Sequence, residues 1–166
     1  IGTTNSQPLV FKVNNVKAGF LDNSFTTKNT AFGTYAGDAL TTGARNVAIG
    51  FQSLLTASTA SFNVAIGTEA LRNTSGSVNV GIGTSALLLN TTGFNNIAIG
   101  GFVLKSNTTG FANMGIGVGS LDANTTGNYN TAMGASALRT NTTGSNNVGL
   151  GFEALRLNTV GGNNIG

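Results

Sequence analysis

One five-residue word recurs through this chain. NVAIG begins at Asn46 and again at Asn63, and the variants NVGIG, NIAIG, NMGIG, NTAMG and NVGLG begin at Asn79, Asn96, Asn113, Asn130 and Asn147. With the related starts at Asn29 and Asn164, the spacing is 17 residues throughout, except for one 16-residue step from Asn63 to Asn79. A fixed short period means one unit stacked on copies of itself, because a unit this small cannot bury an apolar face alone. The chain is therefore expected to be a solenoid, and each place in the unit has a job to be found.

Counting the Asn as place one, place five is Gly in every unit, from Gly33 to Gly151. A recurring Gly at the end of a short apolar run marks a corner of positive φ or a close approach of backbones. Place three is Ala or Gly, as at Ala48, Ala65, Gly81, Ala98 and Gly115, and place four is large and apolar, as at Ile49, Ile66, Ile82, Ile99 and Ile116. Alternation predicts a short β-strand with places two and four on one face and the small places one, three and five on the other. Neither face is charged, so something packs closely against the small face: the rest of the same coil, or another chain.

The second half of the unit follows the form EALRNTTG. Place eight is small in most units and place nine is Leu in seven, while a Thr-rich turn ends in Gly. About six residues remain between corner and turn, too few for a stable helix, so a second short strand is expected. Charges fall at places seven, ten and seventeen, for example Glu69, Arg72 and Arg45, and mark the solvent side.

The expected fold is all-β: a parallel β-solenoid or β-roll of eight coils over residues 29–166, with strands about 4.8 Å apart in a rod about 40 Å long. Each coil offers about three large apolar side chains worth about 1.5–3 kcal/mol each. Ordering its residues costs more, about 1.5 kcal/mol per residue. A homo-oligomer is therefore expected, most simply an intertwined homotrimer whose small faces meet. That assigns Ala48, Ile49, Gly50, Ala65, Ile66, Gly67, Gly81, Ile82, Gly83, Ala98, Ile99, Gly100, Gly115, Ile116 and Gly117 to the interface and core. Residues 1–28 form a lead-in or cap, in which PLVFKVNNVKAGFLD predicts a β-hairpin turning at Asn14-Asn15.

Composition narrows the chemistry. The chain has no Cys and no His, which removes disulfides and the usual zinc sites, and no metal or cofactor is expected. The five acids, Asp22, Asp38, Glu69, Asp122 and Glu153, are scattered, so no enzyme activity is expected. Calcium binding of the β-roll type needs an Asp in each turn, and the turns lack it. GIGVGS at 115–120 has spaced glycines but neither a Lys nor a following helix, so coil corners explain it better than a phosphate loop. Net charge is +3 with no basic run, and no nucleic-acid partner is expected. No stretch approaches the ~20 apolar residues of a membrane span, so no membrane insertion is expected. The missing initiator Met and the stop in mid-coil suggest a piece of a longer chain.

Phe62, Phe94, Phe111 and Tyr129 fall at place sixteen or seventeen. Such aromatics could stack on a cell-surface glycan, but repeating apolar residues are more often packed between coils. Asn73, Asn90, Asn107, Asn124 and Asn141 each begin an Asn-x-Ser/Thr sequence, acceptors only if the chain passes a glycosylating route.

The NVAIG words resemble the head repeats of trimeric autotransporter adhesins, although Asn stands here where that family has Ser and the unit is longer. The form NTAIGxxAL followed by NTTG is more similar to repeats of tail-fibre-like surface proteins of bacteria and their phages. PLVFKVNNVKAGFLD also resembles the segment that precedes those repeats. That likeness implies an interwound trimer and an extracellular, cell-surface or virion location. The expected role is a structural shaft or a weak adhesin. A self-assembling filament subunit is the alternative, with an ice-binding solenoid behind it, since the Thr columns lie in a turn and not on a strand face.

Overall fold

The computed structural model describes residues 7–22, 24 and 26–166. The first six residues of the expected lead-in lie outside the described part. β1 (Leu9–Val13) and β2 (Val16–Leu21) form the expected antiparallel hairpin. Its turn residues Asn14 and Asn15 have φ of 49° and 61°, the left-handed pair that a tight type I′ turn needs and that Asn tolerates best.

β2 runs antiparallel to β3 (Thr30–Phe32), and from there the chain winds in one direction. β4 (Val47–Ile49), β5 (Val64–Ile66), β6 (Val80–Ile82), β7 (Ile97–Ile99), β8 (Met114–Ile116), β9 (Thr131–Met133) and β10 (Val148–Leu150) follow in parallel, each beside the last. Register is strict: Val47 pairs with Val64, Ala48 with Ala65 and Ile49 with Ile66, and the shorter unit leaves this unchanged because Ala65 pairs with Gly81. The fold is the expected all-β parallel solenoid.

Each strand stops at the place-five Gly for two reasons. Gly50 and Gly67 sit at φ of 125° and 132°, and a Cβ added to Gly50 would lie 2.6 Å from the carbonyl oxygen of Gly67. Only Gly permits both the angle and the approach of the next coil.

Beyond the corner the structure differs from the expected second strand. Places six to eleven are a series of turns, with left-handed φ at places seven and nine, for example 56° at Gln52 and 49° at Leu54. A strand sends neighbouring side chains to opposite faces. Here places eight and nine both point inward, and Ser53 with Leu54, or Ala70 with Leu71, are fully buried side by side. Left-handed conformations cost a non-Gly residue about 1–2 kcal/mol, and the burial of a Leu per coil offsets it. Bonds between coils continue without β geometry, as the Leu54 N–H donates to the Ala70 carbonyl at 3.1 Å and the Thr56 N–H to that of Arg72 at 3.0 Å.

The core is a narrow lumen along the rod axis. Leu54, Leu71, Leu87, Leu104, Leu121 and Leu138 line one wall, opposite the small place-three residues of the strands. Ala48, Ala65, Gly81, Ala98 and Gly115, expected where copies meet, are inside the chain's own coil instead. A coil of 17 residues leaves room for one small and one large side chain across its width, so the large place-four residues are turned outward. The single chain closes each coil by itself.

Phe20 of β2 faces Ala31 across the antiparallel pair and belongs to this core, 8% exposed. It plugs the lumen at the end where the hairpin lies, and the Lys17 ammonium sits over its ring at 4.9 Å.

Candidate functional site

Two columns of amide side chains run through the interior. At place one, the Asn46 backbone N–H donates to Asn29 Oδ1, that of Asn63 to Asn46 Oδ1, and so on to Asn164 on Asn147, each at 2.9–3.0 Å. The Asn46 Nδ2 also donates to the Ala60 carbonyl at 2.8 Å, so one side chain ties its own turn to the coil before it. A second column at place twelve begins with Asn90, whose Nδ2 donates to Thr74 Oγ1, and continues as Asn107 on Asn90 Oδ1 at 2.7 Å and Asn124 on Asn107 Oδ1 at 2.8 Å. Buried amides are tolerable because both ends are bonded.

The place-twelve column also locates the missing residue of the short unit. NTSG at 73–76 would align by eye with NTTG, yet Thr74 and not Asn73 occupies the buried position and receives the bond from Asn90. The omission is therefore in the turn after Thr74. It follows that Asn90, Asn107, Asn124 and Asn141 are enclosed, while Asn73, at place eleven, is partly exposed. Of the five possible glycan acceptors, the folded chain offers Asn73 alone.

The four aromatics divide into two groups. Phe94 and Phe111 stack with centroids 4.9 Å apart and planes 2° from parallel, and Tyr129 meets Phe111 edge-on at 5.2 Å. Phe62 stands apart, with the Arg45 guanidinium over its ring at 5.2 Å. A sugar stacks on an open ring face. Here the faces between Phe94 and Phe111 cover each other and their edges meet water, an arrangement that clamps coil to coil.

Charged side chains are tied to neighbours at the surface. Lys17 pairs with Asp38 at 3.0 Å, Arg72 with Glu69 at 3.5 Å, Arg156 with Glu153 at 3.7 Å and Arg139 with Asp122 at 4.0 Å. Partial burial acts to raise the Asp22 carboxyl pKa. Hydrogen bonds from the Thr27 hydroxyl, from the Ser24 N–H at 2.9 Å and hydroxyl, and from Asn29 outweigh it, and hold the pKa below the ordinary 3.8. Asp22 thereby fastens the hairpin to the first coil, where its own N–H donates to the Asn29 carbonyl at 2.8 Å. Among the described residues no group of three His, Cys, Asp or Glu is placed to hold a metal, and no helix is long and apolar enough to cross a membrane.

No family model, no curated protein and no solved structure matches this chain. The remaining candidate surface comes from geometry alone. Ile49, Ile66, Ile82, Ile99 and Ile116 point away from the lumen and form an outward column, half-buried to 40% exposed. Gly50, Gly67, Gly83, Gly100 and Gly117 border it as the corners. The residues that sequence reasoning missed are the Leu wall and Phe20. The adjacent small-Leu pair at places eight and nine was the available signal, since no strand can bury both.

Proposed function

We propose that this chain is a shaft segment of an extracellular or virion-surface fibre, non-enzymatic, assembling with copies of itself and holding an attachment element away from a surface. The observation that carries the reading is the pair of buried Asn ladders, the place-one ladder running from Asn29 to Asn164 and the place-twelve ladder from Asn90 onward, which repeat from coil to coil and make a stiff rod whose length grows with the number of units. The likeness of its repeats to tail-fibre-like proteins points the same way. A homotrimer remains the simplest assembly for such a shaft. Weak attachment to a cell-surface glycan is a further role for the exposed aromatic side chains.

Two other readings are less well supported. End-to-end growth into a filament needs both rod ends open, and the hairpin and Phe20 cover the first coil. Ice binding uses adjoining ranks of free hydroxyls on a flat strand face, and here the Thr columns lie in a turn, where the exposed place-fourteen column of Thr92, Thr109, Thr126 and Thr143 has no second free column beside it. The place-thirteen hydroxyls of Thr91, Thr108, Thr125 and Thr142 are spent as donors to the next coil's carbonyl at 2.9–3.1 Å.

The test is immunogold electron microscopy with antibodies raised against the folded repeats, applied to cells and particles of the source. Label on thin surface projections is expected. Label confined to the cell interior would reject the reading.

A further inference from the structure

The solenoid leaves an apolar surface along its strands unused. Places two and four flank the inward place three, so each coil sends both outward, place four always apolar and place two apolar except at Thr30 and Thr131, and the strict register lines them up. Along place four the column runs from Phe32 and Ile49 through Ile99 to Leu150, with exposures of 40%, 40%, 38% and 57%. Phe51, Val118 and Phe152 widen it at place six. No charged residue occupies places one to six of any unit. Strands of about 3.3 Å per residue, stacked about 4.8 Å apart over eight coils, make this a strip of about 40 Å by 15 Å, or about 600 Å². That equals the largest apolar patches that monomeric proteins leave in water.

The chemistry of the strip restricts what can cover it. The strand N–H and C=O groups are used between coils, so the strip offers no backbone donors or acceptors to an added β-strand, and its hydroxyls, those of Thr30 and Thr131 at place two and of Thr34, Thr68 and Thr84 at place six, lie along its margins. It is straight and repeats once per coil. An aperiodic partner would match it over one or two coils, whereas another rod of the same period matches it along the whole length. Two such strips bury about 1,200 Å² together, the lower end of the range for a specific stable interface.

We propose that a second copy of this chain docks side by side on this strip, through the place-two and place-four columns and not through the small places. The inference rests on the fibre reading only in taking the copy as partner. The contact is apolar along its centre, where place four carries only Phe, Ile, Met or Leu, with Thr hydroxyls at its margins. It differs from the sequence-based expectation in which face meets: Ile66, Ile82 and Ile99 touch the other copy, and Ala65, Gly81 and Ala98 stay inside their own.

The experiment is multi-angle light scattering of the whole chain over a range of concentrations, beside Ile82→Lys and the milder double variant Ile82→Thr/Ile99→Thr. Both place polar groups on outward side chains, and the Thr variant keeps the β-branched shape that strands favour. The expected result is a mass of two or three chains for the parent and a shift of at least tenfold in dissociation constant toward single chains for the variants, with unchanged far-ultraviolet circular dichroism. A parent that stays a single chain to its solubility limit overturns the proposal, as does a folded variant with the parent's mass. If Ile82→Lys fails to fold, the Thr variant decides. A monomeric rod would sink this pairing and leave the shaft reading to the surface-labelling test.

Discussion

Val103 and Gly115 share one space in the lumen: a Cβ added to Gly115 would lie 2.5 Å from Val103 Cγ1. Val103 is the one β-branched residue at place eight, where other units have Ala or Ser, and place three opposite it has given up its methyl. Gly115→Ala should cost about 1–3 kcal/mol by overpacking. Adding Val103→Ala should recover most of that, because Ala opposite Ala is the arrangement at Ala86 and Ala98, which stand in the same relation one coil earlier. Urea unfolding of the two single variants and the double measures the coupling. Strictly additive costs would refute the shared space.

Ser120 lies in the same wall, fully buried, with a hydroxyl that has no hydrogen-bond partner. Ser120→Ala should stabilise the chain by about 1 kcal/mol, since an unpaired buried hydroxyl is lost and the residue typical of the column gained. A lower melting temperature in the variant would mean that the hydroxyl has a role here.

The Asn ladder predicts a cost that depends on position. Asn113→Ala removes the acceptor for the Asn130 backbone N–H, now bonded at 3.0 Å, and the donor to the Gly127 carbonyl at 2.8 Å. The stranded amide alone should cost about 1–3 kcal/mol. The same change at Asn164, which has no following coil in the structure, should cost less. Equal losses in thermal scans would argue that the ladder does not act as a chain.

Asp22 gives a pH dependence of known sign. Its folded pKa lies below 3.8, so the folded cap binds fewer protons than the unfolded chain. The stability it contributes is complete above 3.8 and fades as pH falls through the lower folded value. Asp22→Asn should therefore melt below the parent at neutral pH, and the gap should close in acid. A gap that persists below the folded pKa would assign the effect to something other than the charge. The group is partly exposed, which keeps the difference small.

Phe111 is held by two ring contacts, so Phe111→Ala should lower stability by about 1 kcal/mol beyond its lost burial. Calorimetry checks this, and an array of glycans tests the other role. Glycan binding lost with Phe111 at unchanged stability would reverse the assignment.

The period, the Gly corners, the hairpin turn at Asn14-Asn15 and the parallel stack were legible because each follows from local chemistry: left-handed φ, period-two alternation and the need of a short unit for neighbours. The second half was not. Leu54 and Gln52 adopt left-handed angles that such residues rarely take, and only the inward pull of a lumen makes that favourable. The place of Thr74 in the buried column was hidden for a related reason, since NTSG and NTTG align as strings while the amide column counts positions in space.

By itself the sequence determined that identical coils stack in parallel and where each one turns. Which face is inside was decided only by the tertiary structure. Apolar size argued for burying Ile49 and Ile66, but the lumen of a 17-residue coil, already filled by Leu54 and Leu71, accepts only Ala48 and Ala65 opposite them. The width of that lumen is a property of the closed coil, and no residue announces it alone.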